Sequence, residues 1–233
     1  GVDNVLVTNG GKQAVYQSIA TIVDQGDEVI LPAPYWTTYP ECIRLAGGTP
    51  VEVFADETRN YCVSVDQLEA ARTPKTKALI FCSPSNPTGS VYSPEQVRAI
   101  GQWAHKHGIW IITDEIYEHI IYDGVKHVSM ITLDGMRDRT ILVNGMSKTY
   151  SVTGWRVGYI LSPPNITGAI RKMHDFMTVG APAPLMDAGA TALRLPDEYY
   201  TNMAAHYQER RDRTMKMLTE AGLNPICPKG AYY

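Results

Sequence analysis

The chain has 233 residues, 44% of them hydrophobic and 19% charged, with a formal net charge of -3. That length suits one large domain or two small ones, and the composition is ordinary for a soluble globular protein. The near-neutral balance without a Lys/Arg-rich run argues against a nucleic-acid surface, and no apolar run approaches the ~20 residues of a membrane span.

The opening GVDNVLVTNGG lacks the charged-then-apolar pattern of a secretory signal. Cys42, Cys62, Cys82 and Cys227 form no C-x-x-C pair and no metal-ligand spacing with histidine. They read as reduced thiols of a cytoplasmic protein without a metal. The chain begins on a strand-like run and stops at PKGAYY, inside what reads as a new element, so it reads as a fragment or a trimmed chain.

In chain order, apolar runs rich in Val and Ile alternate with helical patterns. The runs are Val5–Thr8, Val29–Leu31, Val51–Phe54, Ala78–Cys82, Ile109–Thr113, Ile141–Asn144 and Val157–Leu161. Their lack of alternation predicts strands buried on both faces, as in a mainly parallel sheet. The pattern predicts helices over Lys12–Asp24, Asp66–Arg72 and Pro94–His107. Ser64 with Gln67 forms a capping box for the second, and Ser93, Pro94, Gln96 and Gly108 bracket the third. Three more helices follow, over Asn165–Met177, Leu185–Leu193 and Asp197–Ala221, the last with QERRDR read as a solvated face. Alternating strands and helices predict a three-layer α/β/α domain with a seven-stranded sheet. In such sheets ligands sit at the carboxyl ends of the strands.

Several chemistry-bearing residues fall there. After the first strand, TNGGKQA places Gly11 and Lys12 at a helix start, where free amides can hold a phosphate or simply make a tight turn. After the second, Trp36 is either core or a stacking platform for a planar ring. After the fourth, SPSNPTG holds Asn86, which is either a turn residue or a paired donor and acceptor. Asp114 closes the fifth strand, and a buried carboxylate there needs a partner, either a structural cation or a protonated ring nitrogen. Tyr117 follows and can reach a phenolic oxygen on the same ring. After the sixth strand come Ser147 and Lys148. A lysine in such a pocket becomes a nucleophile, and Arg156 offers a planar fork matched to phosphate. One ligand satisfies all of these parts: pyridoxal 5'-phosphate, whose chemistry needs an acid at the pyridine nitrogen.

The segment GMSKTYSVTGWRVG (Gly145–Gly158), with GGKQA at Gly10–Ala14, PYW at Pro34–Trp36, SNPTG at Ser85–Gly89 and DEIY at Asp114–Tyr117, resembles the class I/II aminotransferases of fold type I. The resemblance spans about the whole chain and matches that family's large, cofactor-binding domain, with one antiparallel strand among the seven. It implies the large domain over residues 1–221 and the start of a truncated small domain over 222–233. It implies that Lys148 forms a Schiff base with the cofactor and moves the proton between substrate Cα and cofactor. Asp114 pairs with the pyridine nitrogen, while Tyr117 and Asn86 contact the ring oxygen. Trp36 and Asn86 also serve substrate binding. Gly11, Lys12, Ser147 and Arg156 hold the phosphate. The family's N-terminal arm and most of its small domain, including the arginine that grips the substrate carboxylate, have no counterpart here. A homodimer is implied for the intact protein, and weak activity for this fragment alone.

The activity implied is transfer of an amino group from an amino acid to a 2-oxo acid. TVGAPAPLMDAGA (Thr178–Ala190) resembles the aspartate-type and broad-specificity branch, with 2-oxoglutarate as the acceptor. A β-lyase, decarboxylase or synthase on the same scaffold, or the ligand-binding part of a transcription regulator, shares the lysine neighbourhood. His119, His127 and His174 read as exposed or core-satisfied histidines.

Overall fold

The computed structural model describes residues Gly1–Tyr233, and its seven apolar runs hydrogen-bond into one sheet. The strands are β1 (Val5–Thr8), β2 (Glu28–Ala33), β3 (Thr49–Phe54), β4 (Thr76–Cys82), β5 (Trp110–Asp114), β6 (Thr140–Gly145) and β7 (Gly158–Leu161). Their order is β1-β7-β6-β5-β4-β2-β3. Neighbours from β3 to β6 run parallel, and β7 alone runs opposite, antiparallel to both β1 and β6.

Seven helices surround the sheet: α1 (Gly11–Ile22), α2 (Thr38–Leu45), α3 (Val65–Ala71), α4 (Pro94–His107), α5 (Pro164–Thr178), α6 (Ala183–Ala192) and α7 (Asp197–Glu220). Side chains leave a strand on alternate faces. Accordingly Val29, Leu31, Ile80 and Ile112 join one core with Val15 and Ile19 of α1 and Ile170 of α5. Ile30, Leu79, Phe81 and Ile111 join the other with Leu68 of α3 and Val97 and Ile100 of α4. Both caps of α4 form as expected: Ser93 and Gln96 satisfy each other's backbone amides, and Gly108 ends the helix at φ 67. Ile112 is fully enclosed in the first core. Ile112→Ala is therefore expected to cost about 2–5 kcal/mol in urea denaturation, and a loss below ~1 kcal/mol would contradict this packing.

The structure departs from the sequence reading in three places. Burial on both faces holds for the central strands, but β3 is an edge strand that buries only Val53 and leaves Phe54 62% exposed. Helix α2 is not among the helices expected from the sequence; Pro40 sits in its first turn, where no amide donor is needed. The QERRDR face is not all solvated. Arg211 is 8% exposed, pairs bidentately with Asp123 at 2.8 and 2.9 Å, and lies 4.8 Å from the centre of the Tyr122 ring.

After α7 the chain turns back. Ile121 bridges Gly230, and Lys229 and Gly230 both donate amide bonds to the Gly89 carbonyl. No helix is long and apolar enough to cross a membrane.

Candidate active site

All nine residues singled out for the cofactor line one cleft of about 430 Å³: Gly11, Lys12, Trp36, Asn86, Asp114, Tyr117, Ser147, Lys148 and Arg156. It also takes in Tyr39, Cys82, Ile116, Thr153 and Tyr233. The sheet explains the convergence. β1, β2, β4, β5 and β6 deliver their residues from their carboxyl ends, and the reversal of β7 brings Arg156, just before its first residue, to the same edge.

One end of the cleft is electropositive. The first-turn amides of α1 have no intrahelical acceptor and point outward with the helix dipole behind them. Gly10 caps this helix at φ 87. A Cβ built on Gly10 would lie 2.4 Å from Nη2 of Arg156, so the guanidinium packs directly on that glycine. Arg156 donates to the Thr153 carbonyl at 3.0 Å. The Thr153 hydroxyl donates to the Ser147 carbonyl at 3.0 Å, joining the arginine loop to the lysine loop. None of the protein's arginine–carboxylate pairs involves Arg156, so its fork is free for an anion. Gly10→Ala is expected to displace this guanidinium and to cost about 1–2 kcal/mol through its left-handed backbone. Denaturation with and without inorganic phosphate reads both effects; full stabilisation by phosphate in the variant would contradict the cradle.

The cleft also holds Asp114, 6% exposed. Its Oδ2 accepts the Tyr39 hydroxyl at 2.7 Å and its Oδ1 the Ile116 amide at 3.3 Å. Burial pushes its carboxyl up to about 6, against the hydrogen bond from Tyr39. A cationic partner would reverse that shift. Trp36 stands beside it, edge-on to Tyr39 with ring centres 5.4 Å apart, and Lys12 Nζ lies 5.3 Å from the Trp36 ring centre.

Lys148 lines the same cleft. Its Nζ donates to the Tyr232 hydroxyl at 2.6 Å and lies 6.0 Å from the centre of the Tyr117 ring. The hydroxyls of Tyr117 and Tyr233 are 2.9 Å apart. Tyr199, on α7, braces the lysine loop by donating to the Thr149 carbonyl at 2.8 Å.

Several supporting residues lie outside the set of site residues marked in the sequence. Tyr39 was hidden in an apparent loop, although a Pro at the next position is compatible with a helix start. Glu115, next to Asp114, is buried; it accepts the Thr113 hydroxyl at 2.9 Å and the Met130 amide at 3.1 Å, and His127 lies 2.9 Å away. His127 is thus satisfied, as read. His174 is buried with Gln17 at 3.2 Å but leaves Nε2 without a partner. His119 packs on the Tyr200 ring at 4.4 Å.

A family model described as aminotransferase class I and II matches residues 1–233. An aspartate aminotransferase of Streptomyces avermitilis is 50% identical over 232 residues, covering 98% of this chain and 57% of that protein. The solved aromatic aminotransferase of Pyrococcus horikoshii superposes with a TM-score of 0.94 at 37% identity, over 98% of this chain and 62% of the other. The aspartate aminotransferase of Rhizobium meliloti does so with a TM-score of 0.94 at 34% identity, over 99% and 58%. The chain thus spans somewhat over half the length of these relatives.

Proposed function

The chain belongs to the class I and II aminotransferases, and on that premise we propose a pyridoxal-phosphate-dependent aminotransferase. It moves an amino group from aspartate, or from a broader set of amino acids, to a 2-oxo acid such as 2-oxoglutarate. The observation that supports this best is the single cleft that brings together an anion cradle, a buried acid and the Lys148 amine. Those donors match the cofactor's phosphate, ring nitrogen and aldehyde in kind.

When bound, pyridoxal phosphate supplies an electron sink for negative charge developing at the substrate Cα. The protein's part is to hold, orient and move protons. Arg156, Ser147 and the amides of Gly11 and Lys12 hold the phosphate. Trp36 covers a ring face, and Asp114 keeps a negative charge at the ring nitrogen. Tyr117 and Asn86 orient the ring oxygen, and Asn86 with Trp36 borders the substrate. Lys148 is the covalent anchor and, once its amine is released, the base and acid at the substrate Cα. A homodimer, a smaller domain beginning at 222–233 and a cytoplasmic location complete the proposal. The four unpaired cysteines are in keeping with a reducing compartment.

The test is a panel of amino donors with 2-oxoglutarate and the cofactor-loaded protein. Equal amounts of glutamate and oxaloacetate from aspartate are expected. Consumption of a donor without glutamate formation would instead indicate elimination or decarboxylation and overturn the transfer reading.

A further inference from the structure

We propose that Tyr39 is a positioning residue for Asp114: its hydroxyl, donated to Oδ2, keeps the buried carboxylate ionised and fixed at the cleft wall. This rests on the reading of Asp114 as the partner of a ring nitrogen, and it adds a residue that no motif in the chain marks. Tyr39 is 1% exposed, and its ring is part of the core beneath α1 and β4. Its amide bonds the Trp36 carbonyl at 3.0 Å, so the turn that places Trp36 also places Tyr39. Its one polar side-chain atom lies 2.7 Å from Asp114 Oδ2.

One other group shares the Tyr39 hydroxyl, the Cys82 thiol, while the charged neighbours of Asp114 are engaged elsewhere. From β4, Cys82 faces Asp114 in register, and burial pushes its thiol up to about 12, so it stays neutral. From the loop after β6, Lys148 is the facing cation, and its amine is engaged by Tyr232. On the same strand end, Glu115 is held by Thr113, His127 and Met130. Without the hydroxyl, the carboxylate keeps only the 3.3 Å amide of Ile116. Burial holds Tyr39 well above its ordinary value, so it remains a donor throughout the working range.

The experiment titrates the Asp114 carboxyl by 13C NMR in the purified protein, with the resonance assigned through Asp114→Asn. Tyr39→Phe should move the midpoint about one pH unit higher. Replacing Tyr39 with 3,5-difluorotyrosine, the same shape with a stronger donor, should move it lower. Pyridoxal phosphate affinity should then fall about fivefold at pH 6 in Tyr39→Phe and hardly change at pH 8, following the loss of ionised carboxylate. Opposite responses to the two replacements cannot come from packing alone. An unchanged midpoint in both would overturn the proposal. If Tyr39→Phe fails to fold, the fluorinated protein decides. A wild-type protein without affinity for pyridoxal phosphate would overturn the cofactor reading instead, and the carboxyl titration would still judge the Tyr39–Asp114 coupling.

Discussion

Lys148→Ala is expected to lower turnover by at least about 10³-fold while leaving the fold intact. The size follows from removing at once the two roles proposed for Lys148, nucleophile and proton carrier, each of which contributes on the order of 10²–10⁴ in rate. Preservation of the fold follows from its setting. The amine bonds the Tyr232 hydroxyl and faces aromatic rings; it makes no direct ion pair, so only its longer-range attraction to Asp114 is lost. Its loop is held by other groups, through Thr153 to Ser147 and Tyr199 to Thr149. Denaturation midpoints within about 0.5 kcal/mol of wild type, alongside the kinetic loss, would separate chemistry from folding. Turnover within tenfold of wild type would contradict the role given to Lys148.

The second large effect concerns Asp114→Asn, and it has opposite signs for activity and stability. Turnover should fall about 10²–10³-fold, because a fixed charge is removed from the ring-nitrogen end of the cleft. Stability of the protein without cofactor should rise. The Asp114 carboxyl sits at about 6 in the fold against 3.8 ordinarily, raised mainly by burial. The native state therefore binds more protons than the unfolded chain between those values, and stability falls as pH rises through that window. The penalty is fully present above pH ~6 and amounts to about 3 kcal/mol at most. Asparagine removes it, and its one carbonyl oxygen still accepts the Tyr39 hydroxyl while giving up the weaker bond from the Ile116 amide. Urea denaturation should show the variant more stable at pH 8 and no more stable at pH 3.5. A wild type that exceeds the variant at pH 8 would contradict the picture of an uncompensated buried acid awaiting a cation.

The parts of the molecule legible in the sequence are those fixed by burial and by sheet geometry. The central strands could be read because burial on both faces demands unbroken Val and Ile, as in Val29–Leu31 and Ile141–Val143. The site could be read because sheet geometry brings residues after those strands to one edge, so Asn86, Asp114, Ser147 and Lys148 fell together without further information. Gly10 and Arg156, 146 positions apart in the chain, interlock through a contact made local by β7, which the spacing alone did not show. Tyr39 was missed because two prolines made a short helix resemble a loop. Arg211 was misread because helical periodicity does not reveal that the Asp123 loop packs over that face. The pairing of Glu115 with His127 spans an irregular segment, where no period exists to predict it. The choice of amino donor is not written in these residues either, because the roles proposed for them are toward the cofactor, which every donor would share.

The most direct test of the central claim is to load the protein with pyridoxal phosphate, reduce with borohydride and map the modified peptide. The account predicts one label, on Lys148, absent from Lys148→Ala. Cofactor held in the cleft with the label on another lysine, and Lys148 untouched, would contradict it.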